Sequence, residues 1–252
     1  MERSGAETAR HTGRETGVFR GKNMRLMNRR LLAHAYGLIP RLAGEILKLE
    51  ALLRWAAGPV IAGIKPAALI RLPRQLVEDA WENGGRGLCE SLGLSVLILR
   101  EGAAGYLVLL YRWKLLARKL RAGPGARYLA SLDYPAGPGL EGYLSFLKKR
   151  FAEPGFPHEV GIFLGYPLED VISFSAGKPS PYACRGYWKV YHRPEKAERT
   201  FVYMDTARLD AIKELFSGSL PEDDRTAFVN KGDNRSPLSA IPRVLKRRRV
   251  TM

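Results

Sequence analysis

Apolar residues recur at helical spacing in five segments of the chain, which predicts amphipathic helices. These segments are residues 40–57, 74–83, 113–120, 140–151 and 194–216. Gly58-Pro59 is expected to end the first helix and Gly84-Gly85 to end the second, because glycine and proline are poorly tolerated inside helices. Pro194 is expected to begin the last helix, since proline fits the first helical turn.

Two nearly continuous apolar runs, SVLIL (95–99) and YLVLLY (106–111), flank REGAAG and predict a β-hairpin. Their apolar character predicts central strands that are covered on both faces. AGIKPAALIRL (62–72) is expected to be irregular or an edge strand, because Pro66 cannot donate to a strand ladder. Two further strands are predicted at VGIFLG (160–165) and YWKVYH (187–192).

Helices and strands alternate without regular βαβ order, which predicts the α+β class. We expect a single domain over residues 31–218, with a small mixed β-sheet of about four strands, including a central hairpin, packed by amphipathic helices. Residues 1–30 are polar and lack apolar periodicity, and turn formers and charges dominate residues 219–252. Both ends are therefore predicted to be disordered basic tails.

The formal net charge of +16 is concentrated at the two ends of the chain. Residues 1–30 hold eight basic and three acidic residues, and residues 221–252 hold eight and four. Solvated tails are the simplest interpretation of such runs. The alternative is association with nucleic acid or acidic lipid, for which the run 246–249 (KRRR) is the best candidate. These charges would contribute affinity without sequence readout.

The cysteine content and the apolar runs favour a soluble, cytoplasmic protein. Cys89 and Cys184 lie 95 residues apart without a CxxC motif, so the sequence has neither a disulfide framework nor a zinc knuckle. No signal peptide is recognisable at the N-terminus. Apolar runs fall far short of the ~20 residues that span a bilayer, so no membrane association through a spanning helix is expected.

His158 and Glu159 are the candidate catalytic residues. Histidine titrates near neutrality, and an adjacent carboxylate could hold its tautomer. The alternative is that His158 only caps or hydrogen-bonds at a strand entrance. A zinc-protease motif is excluded, because Ile162 stands where a second histidine is needed. Pro167 is expected to begin a helix whose acidic first turn, Glu169 and Asp170, favours the helix dipole.

A second group of polar and aromatic residues is predicted to bind a small-molecule ligand or cofactor of unknown identity. The candidates are Lys65, Arg112, Tyr166, Cys184, Arg185, Tyr187, Trp188 and Lys189. The aromatic residues could line a ligand wall, although at alternating strand positions such residues are more often core. Cys184 is either activated by Arg185 or simply small and buried.

FPHEVGIFLGYPLEDV (156–171) and C-x-GYWKVY (184–191) resemble the signature of a bacterial family, seen largely in anaerobes, that is known only as a domain of unknown function. AGIKPAAL (62–69) and LLYR (109–112) extend the resemblance to roughly residues 45–215. Family members often carry a His-Cys pair before the Gly-x-Lys-Pro motif, and this chain lacks it. The resemblance implies no activity, but it suggests that these segments are the family's shared surface or core.

We therefore expect a domain of unknown function with a small-molecule or cofactor pocket around His158 and the strand at 184–191, and the sequence leaves open whether this pocket is catalytic. One alternative is a non-enzymatic regulatory or protein-interaction module, in which the motifs serve packing. A second alternative is nucleic-acid association through the basic tails. The sequence identifies no cofactor and no metal site, and it leaves the oligomeric state open.

Overall fold

The computed structural model of the protein describes residues 23–224, except residues 136, 138 and 178–180. The helices within these residues are α1 (23–38), α2 (Glu45–Ile61), α3 (Arg74–Ala80), α4 (Arg86–Ser91), α5 (Trp113–Leu120), α6 (Pro124–Ala130), α7 (Gly139–Ala152), α8 (Val160–Phe163), α9 (Leu168–Ser175) and α10 (Pro194–Ser219). The strands are β1 (Ala67–Leu72), β2 (Ser95–Gly102), β3 (Gly105–Tyr111), β4 (Cys184–Arg185) and β5 (Lys189–Val190). The predicted α+β class and single domain are confirmed.

The larger sheet contains three strands in the order β1-β3-β2. The predicted hairpin is confirmed as β2 and β3, and β1 is an edge strand, as the proline at its entrance indicated. Only β3 is central, so the prediction that both hairpin strands are central is wrong for β2. Every pairing among the described strands is antiparallel, including that of β4 with β5, so the sheet is not mixed.

The segment VGIFLG, predicted to be a strand, forms the short helix α8 instead. All four of its residues are buried, and a Cβ added at Gly161 would lie 2.8 Å from Cγ2 of Val171 on α9. A short apolar run surrounded by other elements has no polar face, so its pattern does not separate a buried helix from a buried strand. In YWKVYH only Lys189 and Val190 lie in a strand.

The prediction that α2 ends at Gly58-Pro59 is wrong. The helix continues to Ile61 and contains Pro59. Proline has no N–H, so the carbonyl of Trp55, four residues earlier, loses its helical donor. That carbonyl accepts a hydrogen bond from Nε of Arg208 on α10. A tertiary contact thus replaces the hydrogen bond that proline removes.

The second predicted helix ends where expected, because the backbone leaves helical geometry at Asn83 and Gly84. After α3, a π-helical turn at Trp81–Gly85 leads directly into α4. The change of direction occurs at Gly84, whose φ of 121° suits glycine. The predicted helix end at Gly84-Gly85 is therefore confirmed, and α4 begins directly after it.

Helix α1 begins inside the segment that was predicted to be a disordered tail. Asn28 is buried and its Nδ2 donates to Oγ1 of Thr206 on α10 over 3.1 Å, so this helix packs on the domain. Residues 219–224 of the predicted C-terminal tail are also described, and Leu220 among them is buried. Residues 1–22 and 225–252 lie outside the described residues. The hypothesis of nucleic-acid association through the tails therefore stays a prediction.

Helices α2 and α10 cross at Gly58, which gives a prediction about stability. A Cβ added at Gly58 would lie 2.6 Å from Cα of Arg208 and 2.7 Å from the carbonyl oxygen of Ala207, both backbone atoms. We expect Gly58→Ala to lower the free energy of unfolding by about 2 kcal/mol, because the two helices must move apart. Chemical denaturation measures this loss.

Gly87→Ala is the matched control for this prediction. Gly87 is an exposed helical glycine with no neighbouring atom within 4 Å of an added Cβ. Alanine has the higher helix propensity, so this variant is expected to keep or slightly raise the stability. Equal losses in both variants would contradict the close crossing of α2 and α10.

Candidate functional site

A cavity of about 390 Å³ lies between the segment that contains α8 and α9 and the hairpin of β4 and β5. Its walls are largely aromatic, and the rings that line it are Phe156, His158, Tyr166, Phe174, Tyr187 and Trp188. Tyr166 and Trp188 pack with their ring centroids 5.0 Å apart, and His158 meets the ring of Phe174 edge-on at 4.7 Å. The two segments that the sequence singled out thus face each other across one cavity.

A tight turn at Gly165 positions Tyr166 in this wall. Gly165 has a φ of 80°, and a Cβ added to it would lie 2.7 Å from Cδ of Pro66. Glycine is therefore required here both by its backbone conformation and by the close approach of the Lys65-Pro66 segment. This contact brings two motifs that are far apart in the chain into one site.

Asp170 holds the hairpin against α9. Its side chain is buried, with 2% exposed, and Oδ2 accepts a hydrogen bond from Nε1 of Trp188 over 2.8 Å. Oδ1 accepts from the backbone N–H groups of Tyr191 and His192, each over 2.9 Å. The predicted acidic first turn after Pro167 is confirmed, and Asp170 also satisfies the donors of another segment. Glu169 is exposed.

The two predicted catalytic residues have different surroundings in the structure. His158 is exposed and lines the cavity, whereas the Glu159 side chain is buried elsewhere. Oε1 of Glu159 accepts hydrogen bonds from Nε of Arg150 over 3.0 Å and from the hydroxyl of Tyr134 over 3.3 Å. Burial and the neighbouring Glu159 carboxylate raise the pKa of Tyr134. Glu159 is thus committed to a structural ion pair.

Two cationic side chains, Arg185 and Lys189, also line the cavity. Nζ of Lys189 lies 5.2 Å from the ring centroid of Phe174 and 5.5 Å from that of Tyr182. Among the described lining residues the only carboxylate is Asp170, and both of its oxygens accept hydrogen bonds. The uncompensated charge at the cavity is therefore positive.

Lys65 lies at the two tyrosine rings of the cavity wall. Its Nζ is 5.2 Å from the ring centroid of Tyr166 and 6.0 Å from that of Tyr187, and 6% of the residue is exposed. Burial, together with the positive charge of Arg208, lowers the pKa of Lys65 to about 7. Burial also raises the pKa of Tyr166 to about 12.

Three further groups surround this lysine. The hydroxyl of Tyr187 donates to Oδ1 of Asp205 over 2.8 Å, and the guanidinium of Arg208 lies 5.8 Å from the ring centroid of Tyr187. Burial raises the pKa values of both Tyr187 and Asp205. Oδ2 of Asp205 is buried and has no hydrogen-bond partner among the described residues.

Three of the predicted ligand-binding residues, Lys65, Arg112 and Cys184, lie outside the cavity lining. Nη1 of Arg112 donates to the carbonyl of Ile61 over 3.1 Å, so this side chain braces the loop before β1. Cys184 is half-buried in β4 and forms no disulfide with Cys89. Burial and the adjacent Glu90 raise the pKa of the Cys89 thiol to about 11, which makes it a poor nucleophile.

Sequence reasoning missed Phe156 and Phe174, which line the cavity, and Asp205 and Arg208, which contact Tyr187. The signal for the last two was their position on the face of α10 that also carries the buried Phe201 and Met204. A carboxylate or a guanidinium on an apolar helical face needs a hydrogen-bond partner. Asp205 accepts from the Tyr187 hydroxyl, and Arg208 donates to the Trp55 carbonyl. Phe174 carried no such signal.

The described residues contain neither a helix that could span a membrane nor a group of side chains that could hold a metal ion. None of the described helices is both long and apolar enough to cross a bilayer. Within the same part of the chain, no three histidine, cysteine, aspartate or glutamate side chains are grouped so that they could hold a metal ion.

The hydrogen bonds of Asp170 predict a large effect of an isosteric substitution. In Asp170→Asn one acceptor oxygen becomes an NH₂ group that faces an N–H donor. We expect the free energy of unfolding to fall by about 3 kcal/mol, because hydrogen bonds to a buried carboxylate are lost. Glu169→Gln, an exposed neighbour, is the control and is expected to change little. Chemical denaturation, followed by tryptophan emission, distinguishes the two variants.

The lowered pKa of Lys65 predicts a pH-dependent stability. Between pH 7 and 10 the unfolded lysine is protonated while the folded one is neutral, so stability rises with pH in this window. Compared with Lys65→Met, the wild type is expected to gain about 3 kcal/mol of unfolding free energy from pH 7 to pH 10. A constant difference between the two proteins across this window would show that Lys65 titrates normally.

The comparisons with known proteins give a family and no activity. The family model described as "Protein of unknown function (DUF3793)" matches residues 53–223. No curated protein matches the chain. No solved structure matches it either. The matched range contains every residue that lines the cavity, as well as Lys65, Asp205 and Arg208. The chain thus belongs to this family of proteins of unknown function, as the resemblance of its motifs predicted.

Proposed function

We propose that the protein binds a small, flat organic anion in the cavity between α9 and the β4–β5 hairpin. One observation supports this proposal: Arg185 and Lys189 line an aromatic cavity. Asp170 is the one carboxylate among the described lining residues, and each of its oxygens accepts a hydrogen bond.

The size and walls of the cavity favour a planar ligand. A volume of about 390 Å³ is within the range of sites that take small organic molecules. Tyr166, Phe174 and Trp188 offer ring faces and edges, and aromatic groups pack favourably against such rings at centroid distances of 4.5–7 Å. A flat, unsaturated body would therefore gain more contact here than a flexible polar one.

The charges favour an anion. An arginine binds a carboxylate through two parallel hydrogen bonds, and a lysine ammonium adds a point charge. A cationic ligand would meet Arg185 and Lys189 without an uncommitted carboxylate among the described lining residues. His158 at the rim can donate or accept a further hydrogen bond, which is a binding role and not a catalytic one.

A matched pair of ligands tests this proposal. We expect 2-naphthoate to bind with one site per chain in isothermal titration calorimetry, and 2-naphthylmethanol, which has the same ring system without the charge, to bind at least about tenfold more weakly. Lys189→Gln is expected to weaken 2-naphthoate binding about tenfold and to leave 2-naphthylmethanol within about twofold.

Two variants complete the test. Phe174→Ala removes part of the aromatic wall and is expected to weaken both ligands. Lys114→Gln removes an exposed charge on α5, outside the cavity lining, and is expected to change neither affinity. Equal affinities for the two ligands, or no effect of Lys189→Gln, would refute an anion site at this cavity.

A further inference from the structure

A row of aromatic side chains leads out of the cavity. Phe156, His158 and Phe174 line it, and their consecutive ring centroids lie 6.0 and 4.7 Å apart. Nζ of Lys189 lies 5.2 Å from the ring centroid of Phe174 and 5.5 Å from that of Tyr182, which is outside the lining. We refer to these five residues as the aromatic row.

The rings of the aromatic row are exposed together. The exposed fraction is 48% for Phe156, 45% for Tyr182 and 39% for Phe174. Single exposed aromatic residues are ordinary on a protein surface, whereas a contiguous group of them marks a binding surface. A ligand confined to the cavity would leave the ring of Tyr182 in water. The row therefore fits a ligand that continues beyond the cavity.

Two cations accompany these rings. Lys189 contacts two rings of the aromatic row, and the exposed Arg185 lines the same cavity. Neither of them forms an ion pair with any of the described residues. Their charges are therefore available to a ligand. Rings with cations among them match a polymer in which planar groups and negative charges alternate.

We propose that the cavity and the aromatic row bind single-stranded nucleic acid. Unpaired bases stack on aromatic side chains, and the phosphates between them pair with lysine and arginine. This proposal rests on the proposed function, because one nucleotide, a flat base with its phosphate, would occupy the cavity as the flat anion. The neighbouring base would stack on Tyr182. The basic ends of the chain, in contrast, would attract phosphates alone.

Charge distinguishes this partner from other chains that could cover the aromatic row. A second copy of the protein, or its own basic ends, would bring more positive charge to Arg185 and Lys189, because the formal net charge of the chain is +16. An acidic protein segment would match the charge. Its aromatic side chains, however, do not alternate with its charges in the way that every base of a strand alternates with a phosphate.

A matched pair of strands tests the proposal with the full chain. Fluorescein-labelled oligothymidylate of about ten nucleotides and an abasic strand of the same length are compared by fluorescence anisotropy. We expect oligothymidylate to bind at least about tenfold more tightly, because only its bases can stack on the aromatic row. The basic ends attract the phosphates of both strands alike, so the difference measures base contacts. Oligouridylate of the same length shows whether RNA is preferred to DNA.

Two tyrosine variants separate the aromatic row from the cavity. Tyr182→Ala is expected to weaken oligothymidylate binding about tenfold, because one stacked base is lost. The same variant should bind 2-naphthoate within about twofold of the wild type in calorimetry, since Tyr182 lies outside the cavity lining. Tyr36→Ala removes a tyrosine on α1 of similar exposure, 51%, and is expected to change neither affinity.

The possible results distinguish this proposal from the proposed function. If 2-naphthoate binds while oligothymidylate and the abasic strand bind equally, or while Tyr182→Ala has no effect on the strand, the nucleic-acid proposal is overturned and the anion site stands. If 2-naphthoate does not bind the wild type, the proposed function fails and this proposal fails with it. If the acidic peptide EEGWGEE displaces labelled oligothymidylate more effectively than unlabelled oligothymidylate does, the surface belongs to a protein partner, which also overturns the proposal.

Discussion

The cavity depends on one buried carboxylate. The hairpin of β4 and β5 has only two residues in each strand and cannot be stable by its own ladder. Asp170 attaches it to α9 by accepting one indole and two backbone hydrogen bonds. Without this anchor the indole N–H of Trp188 and two backbone N–H groups of the hairpin segment would lose their acceptor. The aromatic walls, and the anion site proposed between them, follow from that attachment.

A second constraint is the crossing of α2 and α10, which places Arg208 beside the cavity wall. Gly58 allows the helix backbones to approach, and Pro59 leaves the Trp55 carbonyl without a helical donor. Arg208 satisfies that carbonyl and in doing so lies close enough to Lys65 to disfavour its charged form. A feature of helix packing thus adds to the effect of burial in lowering the pKa of Lys65.

Local patterns predicted the elements whose two faces differ. Helices α7 and α10, the β2–β3 hairpin and the edge position of β1 followed from periodicity, turn residues and the place of Pro66. The prediction failed where tertiary contacts replaced local ones. Gly161 lies in a helix because it packs against Val171, and Pro59 is tolerated because Arg208 supplies the missing donor.

By itself, the sequence determined the α+β class, the family and the two segments in which the polar and aromatic side chains of the site are concentrated. Only the tertiary structure decided which of those side chains meet. His158 lines the cavity, whereas Glu159 pairs with Arg150. Arg112 lies outside the lining and Phe174 lies within it. Asp205 and Arg208 contact Tyr187. The physical reason is that burial, partner choice and the pKa of Lys65 depend on residues far away in the chain, about which a local pattern carries no information.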